Sequence, residues 1–271
     1  KEIVGEEYPG VYTSISSELV PEFREFSRLS TTVLNAYLGP VMQKYVSNFQ
    51  NSVREICVKV EPYVTQSNGS IISSKETIDC PIKTAVSGPS AGVIGATYIG
   101  KQCGADKIIT FDMGGTSTDV CLVEGGEAQV RRETVVHDVV VRASSVDVRT
   151  VGAGGGSIAT VPELTKALRV GPQSAGAVPG PAAYDKGGTE PTVTAANVVL
   201  GYLPADARLG GDMTIRRDLA QQAVQKIADA LGLGLETAAE GIIRIVNENM
   251  FGALRLVSVE QGYDPRNFSL M

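Results

Sequence analysis

Asp112 and Asp119 bracket the segment Met113-Gly114-Gly115-Thr116-Ser117-Thr118. Two carboxylates at this spacing can hold a hydrated divalent cation beside a phosphate. The glycines permit close backbone approach, so that amide N–H groups can point at an oxyanion, and the three hydroxyls add donors. The chemistry these residue types support is the grip on a nucleotide's phosphates. The competing reading is a plain Gly-Gly-Thr turn of a hairpin. No Gly-Lys-Ser/Thr follows, so the segment is not a Walker loop. Its glycines open no helix, so it is not a dinucleotide fingerprint.

The elements that must position this turn are two apolar runs, Ile108–Phe111 and Val120–Val123, which read as strands. Upstream, Ser87-Gly88-Pro89-Ser90-Ala91-Gly92 opens a helix, with Ser87 as a candidate cap and Pro89 in the first turn. Its small residues fit either a hinge-like contact or a tight helix–sheet contact. Downstream, Ser145–Val151 alternates as one strand and feeds Gly152-Ala153-Gly154-Gly155-Gly156-Ser157, a second glycine-rich turn able to approach an anion or substrate. Asp147 beside it is a candidate acid, against the plainer reading of a strand-edge carboxylate.

The longest helical pattern runs from about Ser17 to Val53. Leu19, Phe23, Phe26, Leu29, Val33, Tyr37, Val41, Tyr45 and Phe49 recur at three or four residues. This stripe reads as core or as a domain-packing surface, and Gly39-Pro40 is expected to kink or divide the helix. Val58–Val64 alternates as a strand, Asn68-Gly69 marks a turn and Ile71-Ile72 begins a return strand. Residues 171–191 read as a long Gly/Pro-rich loop. Helices are expected over Thr192–Leu200, Arg217–Leu231 and Glu236–Val259.

The 271 residues are 43% apolar and 20% charged, the balance of a globular protein. The net charge of −6, with no basic patch and no tryptophan, excludes nucleic acid as the expected partner. No apolar run is long enough to span a bilayer. Cys57, Cys80, Cys103 and Cys121 form no Cys-x-x-Cys pair, so zinc or thioredoxin-type chemistry is not expected, and free thiols point to the cytoplasm. Cys121 reads as a buried filler. His137 is the only histidine, which removes a histidine-cluster metal site and reads as a strand-edge or turn residue. Lys1 and Met271 read as cut points within a longer protein.

The order of these elements resembles the second half of actin-like ATPases. The match is closer to the hydantoinase A/5-oxoprolinase family. Ser87–Gly92, Phe111–Val120, Val151–Ala159, Pro179-Gly180-Pro181-Ala182-Ala183-Tyr184, Gly187–Thr194 and Asn197 stand in that family's order. The resemblance covers nearly the whole chain. It implies an α/β fold, an actin-like (ribonuclease-H-like) ATPase domain with a mixed sheet plus an N-terminal long-helix segment. Residues 1–86 would belong to a first lobe, and 87–271 to the second, truncated before an adenosine loop. The implied activity is ATP-dependent opening of a cyclic amide such as a hydantoin or 5-oxoproline, by phosphorylation of the ring carbonyl. The alternatives are an ATP-dependent ketone carboxylase subunit and a non-catalytic assembly module. The implied catalytic and metal-holding residues are Asp112 and Asp119, with Mg²⁺ or another divalent metal. ATP would be bound by Gly114, Gly115, Thr116, Ser117, Thr118, Gly154, Gly155 and Gly156. A second large subunit of the hydantoinase B type is the implied partner, and little nucleotide binding is expected of the isolated segment. Arg149 stands where relatives commonly place histidine, and Ala195 where they commonly place aspartate.

Overall fold

A computed structural model describes residues 1–57, 59–136, 139–204, 206–211 and 213–271. His137 lies outside the described residues, as does Val58. The chain forms two compact units. One holds Lys1–Ile108, Cys121–Val148 and Met271, and the other Ile109–Val120 and Arg149–Leu270.

In the first unit, helical turns α1 (Glu2–Glu7) and α2 (Ser16–Leu19) precede the long helix α3 (Glu25–Glu55). α3 starts later than its apolar periodicity implied and runs unbroken through Pro40. Its buried face is not the aromatic stripe but Thr31, Asn35, Gly39 and Val46. Phe26, Leu29, Val33, Tyr37, Val41 and Tyr45 all lie exposed, so of the two readings of the stripe that of a core within residues 1–271 is corrected. The cause is local fit. The small residues admit the Tyr12 ring so closely that a Cβ on Gly39 would fall 2.2 Å from it.

Asn35 is the polar centre of that contact and is fully buried. Its Nδ2 donates to Ser14 Oγ at 3.1 Å and to the Asp79 carbonyl at 3.1 Å. Its Oδ1 accepts from the Ile82 amide at 3.2 Å. Leucine here has similar volume and leaves these partners stranded. Asn35→Leu is expected to cost about 3 kcal/mol, read as a lowered midpoint in urea unfolding.

Strands β1 (Tyr63–Thr65) and β2 (Ile71–Ser73) pair antiparallel around the Asn68-Gly69 turn, as the sequence implied. Asn68 Oδ1 accepts from the Ser70 amide at 3.0 Å. The strand expected from Val58 is shorter among the described residues, since Pro62 precedes its first paired residue. α4 (Ser74–Asp79) follows, capped by Ser73. α5 (Ser87–Gln102) begins at a Val86 cap, so Ser87 does not cap it. Its Ser90 instead donates to the Ser67 carbonyl at 2.6 Å, and Ser90, Val93, Thr97 and Gly100 are its buried face. Of the two readings of this helix, the tight helix–sheet contact is the one seen within this unit.

β3 (Ile108–Met113) and β4 (Thr118–Glu124) form the hairpin that carries the Asp112–Asp119 segment. β5 (Glu127–Ala128) pairs with the far end of β4. The expected meander breaks into short ribbons: β6 (Val130–Arg131) with β9 (Ser145–Val146), and β7 (Thr134–Val136) with β8 (Val139–Val141). The single strand expected over Ser145–Val151 is two, because β10 (Arg149–Val151) leaves β9 and pairs antiparallel with β4. Val93, Ile108, Cys121, Val123 and Val146 form the first unit's core.

Cys121 is fully buried, and burial pushes its thiol up to about 12. A thiolate is needed for alkylation. Native protein treated with a thiol-specific disulfide reagent at pH 8 is therefore expected to react at exposed Cys57 and Cys103, and at Cys121 only after denaturant is added.

In the second unit, β11 (Ser157–Thr160) pairs with β12 (Arg169–Ser174), which extends into the segment read as loop. α6 (Val193–Val199), α7 (Arg217–Leu231) and α8 (Leu235–Val257) stand within one to two residues of their sequence-based bounds. β13 (Arg208–Leu209) and β14 (Met213–Thr214) form a small ribbon, and β15 (Ser269–Leu270) closes the main sheet in the order β10–β4–β3–β15. Val193, Val198, Val224, Ile227, Ile242 and Val246 interlock as the core beneath it. Among the described residues no helix is long and apolar enough to cross a membrane.

Candidate functional site

The burial of β3 falls off along its length. Ile108, Ile109 and Thr110 are buried, Phe111 is half-buried, and Asp112 and Met113 are exposed. The strand thus climbs out of the core and presents a carboxylate at its end. The turn closes with the Gly114 amide donating to the Ser117 carbonyl at 2.9 Å. β4 re-enters the core with Thr118 and Val120 buried and Asp119 half-buried between them, the period-two alternation of a strand.

The β4–β10 register sets Thr150 opposite Asp119, and the Thr150 hydroxyl donates to Asp119 Oδ1. Partial burial raises the Asp119 carboxyl above its ordinary value, the Thr150 bond pulls it down, and the negative Asp112 raises it again. The two carboxylates therefore sense each other's charge. Thr118 turns the other way. It is fully buried, and its hydroxyl donates to the Ala153 carbonyl.

The second glycine turn packs directly on the first. The Gly155 amide donates to Gly114 O at 3.0 Å and the Gly156 amide to Gly115 O at 2.6 Å, while Gly154 N donates to Ser157 Oγ at 2.8 Å. All three amides of Gly154–Gly156 are thus occupied within the protein. Packing alone calls for glycine at 154 and 156. A Cβ on Gly154 would lie 2.8 Å from Gly114 O and from Gly115 C and O, and one on Gly156 would lie 2.9 Å from Gly115 O.

By contrast, the amides of Gly115, Thr116 and Ser117 donate to no described protein group. A Cβ on Gly115 would meet nothing within 4 Å. Among the described residues no contact requires glycine there.

Three further residues complete the site and were not singled out in the sequence. Thr150 was visible only through strand register. Ser174, at the end of β12, donates weakly to Thr116 Oγ1 at 3.4 Å and accepts from Gly176 N at 3.1 Å. The Thr194 amide and hydroxyl both donate to Gly155 O, at 2.7 and 2.8 Å. The two threonines and the serine are common strand and cap residues, and no local signal separates them from others.

Asp147 lies between β9 and β10, in neither strand, and is nearly buried and paired with Arg131 Nε at 2.7 Å. Arg149 sits in register with Val120. Ala195 is fully buried in α6, its amide bonded to the capping Thr192 hydroxyl at 3.2 Å. Among the described residues no three His, Cys, Asp or Glu side chains converge as a metal cage. Two carboxylates alone do not complete the oxygen shell of a hard divalent cation.

The Asp112–Asp119 hairpin thus presents a solvent-facing turn with open amides, flanked by two carboxylates and braced by a second glycine turn. The chain belongs to the hydantoinase/oxoprolinase family, whose model matches residues 28–271. It is 41% identical over 264 residues to caprolactamase subunit alpha of Pseudomonas jessenii, covering 97% of this chain and 38% of that protein. It is 34% identical to 5-oxoprolinase 1 of Arabidopsis thaliana, covering 96% of this chain and 21% of that protein. The fold matches nucleotide-free acetone carboxylase with a TM-score of 0.88 at 33% identity, over 99% of this chain and 38% of that one. It matches the ATP-dependent caprolactamase of Pseudomonas jessenii with a TM-score of 0.79 at 41% identity, over 99% and 39%. The chain thus spans about two-fifths of the length of caprolactamase subunit alpha.

Proposed function

We propose that this chain is the phosphate-binding part of an ATP-dependent enzyme that opens a cyclic amide. The observation that carries the reading is the run of open amides at Gly115, Thr116 and Ser117 between Asp112 and Asp119. The amides and the Thr116 and Ser117 hydroxyls would hold the β- and γ-phosphates, and the two aspartates would hold Mg²⁺ through carboxylate oxygens and water. Thr118 and Gly154–Gly156 would brace the turn, a supporting part in place of the direct nucleotide contact expected from the sequence. Bound ATP supplies a phosphoryl group, which on the ring carbonyl oxygen turns a resonance-stabilised amide into an electrophile with a good leaving group. Preorganised donors at the turn would stabilise the charge that develops during transfer.

The sheet order β10–β4–β3–β15 supports an actin-like, ribonuclease-H-like architecture. Three strands follow one another antiparallel, and a fourth returns beside the first after the long helix α8. On this reading residues 87–271 belong to a second lobe and 1–86 to the first. Caprolactamase subunit alpha is by name one subunit of an assembly, which supports a second large subunit for this protein too.

Two substrate readings stand, each with its own support. Greater identity to the caprolactamase favours a cyclic amide, and the higher TM-score to acetone carboxylase favours ketone carboxylation. Turnover of ATP by the full assembly with hydantoin, 5-oxoproline, caprolactam, or acetone plus bicarbonate separates them. The phosphate reading is tested by hydrogen exchange. Magnesium and an unhydrolysable ATP analogue, added to the longer polypeptide, are expected to slow exchange at Gly115–Ser117 about tenfold or more while leaving Gly155 and Gly156, already bonded, nearly unchanged. Unchanged exchange at Gly115–Ser117 under saturating analogue points instead to a non-catalytic assembly module.

A further inference from the structure

The exposed side of α3 is the largest feature that the phosphate site leaves unexplained. From Leu29 to Gln43 the helix carries no charged residue. Solvated helix faces ordinarily carry many. Phe26 is 83% exposed and Tyr37 77% exposed, and Leu29, Val33, Val41, Tyr45 and Phe49 continue the row. Together these side chains offer on the order of 900 Å² of apolar surface, above the largest patch of an ordinary monomer and near one side of a standard interface. The spacing of four from Leu29 to Tyr45 also drifts around the helix. The apolar arc is therefore wider than a coiled-coil seam and fits a broad surface such as a twisted sheet.

A second observation is independent of the helix. Among the described residues of 1–86 the buried apolar side chains are Val20, Val46, Ile72, Pro81 and Ile82. Neither core cluster contains a residue before Val93. That is little buried apolar surface for a segment this long, even with the polar contacts that Ser30 and Thr31 make to Val140 and Arg142 in the same unit. β1 and β2 form a sheet of two three-residue strands, which is marginal by itself, and Tyr63 and Ile71 on it are exposed. The neutral composition of the α3 face is that of a domain interior rather than of a separable interface with a charged rim.

We propose that the outer face of α3 is the inner wall of a hydrophobic core completed by residues of the same polypeptide outside 1–271, in the form of a sheet laid across Phe26–Phe49. Length favours the same chain over a separate subunit. The matched stretch is only 38% of caprolactamase subunit alpha, so ample polypeptide of the same chain is available to cover it. A core that is covalently attached also forms without waiting for a second molecule. The inference deepens the lobe reading above and is independent of the nucleotide reading, since nothing in its test involves ATP.

The test is photo-cross-linking in the longer polypeptide, purified without other subunits, with benzoylphenylalanine replacing Tyr37 in one variant and Phe26 in a second. Mass spectrometry is expected to place the cross-links from both positions on residues of the same chain outside 1–271, with a yield that does not change over a hundredfold range of protein concentration. A yield that rises with concentration, from links between copies, overturns the proposal. So does a link that forms only when another subunit is added, and so does the absence of any link from both positions in soluble, folded protein.

Discussion

Replacing Asp112 with asparagine is expected to lower ATP turnover of the full assembly by ~100-fold or more while leaving the melting temperature unchanged. The substitution keeps the shape and removes the charge. Asp112 is exposed at the end of β3, and the described structure shows it making no hydrogen bond on which folding depends. Its work is electrostatic. On the proposed reading it would contribute half of the negative charge offered to a cation, and its charge raises the carboxyl of Asp119. Asparagine also carries an N–H₂ group that would face a cation with the wrong polarity. Turnover and thermal melting measured on the same preparation separate loss of chemistry from loss of fold. Full turnover in this variant would remove Asp112 from the machinery and with it the reading of the turn as a catalytic phosphate grip.

Gly154→Ala is expected to destabilise the second unit by about 3 kcal/mol and to abolish nucleotide binding with it. The added Cβ would sit 2.8 Å from Gly114 O, Gly115 C and Gly115 O, all of them backbone. No side chain can rotate away, so one of the two turns must move. Movement breaks the bonds from Gly155 N and Gly156 N that hold the Gly114–Ser117 turn in place. Gly115→Ala is the contrasting variant. Its Cβ meets no protein atom within 4 Å, so the melting temperature should hold while affinity for the ATP analogue falls. Calorimetric melting and equilibrium nucleotide binding of both variants check the pair. Equal stability of Gly154→Ala and the unaltered protein would contradict the buttress.

Much of this molecule is written locally. The segment after Phe111 carries its acid, glycines and hydroxyls in one short run, and any chain that folds two apolar runs around them brings Asp112 and Asp119 to one end of a hairpin. α7 and α8 follow from a 3.6-residue apolar period, and the Asn68-Gly69 turn from its own side-chain chemistry. These features depend on neighbours in the chain, so pattern and composition are enough to find them, and the family's ordered motifs are legible for the same reason.

What tertiary structure alone decided lies in contacts between residues far apart in sequence. That Thr150 meets Asp119 depends on which strand β4 pairs with, and the run Ser145–Val151, which alternates as one strand, is cut in two by that pairing. The glycines at 154–156 read as open amides until packing shows the first turn's carbonyls already taking two of their hydrogens. The aromatic stripe of α3 reads as core or domain-packing surface from its period, yet the side that is buried within this chain is the one small enough to admit Tyr12 and to seat Asn35. Periodicity tells which side chains avoid water. It cannot tell which face of a helix finds its partner first, because that depends on the shapes of surfaces that come together only when the chain folds.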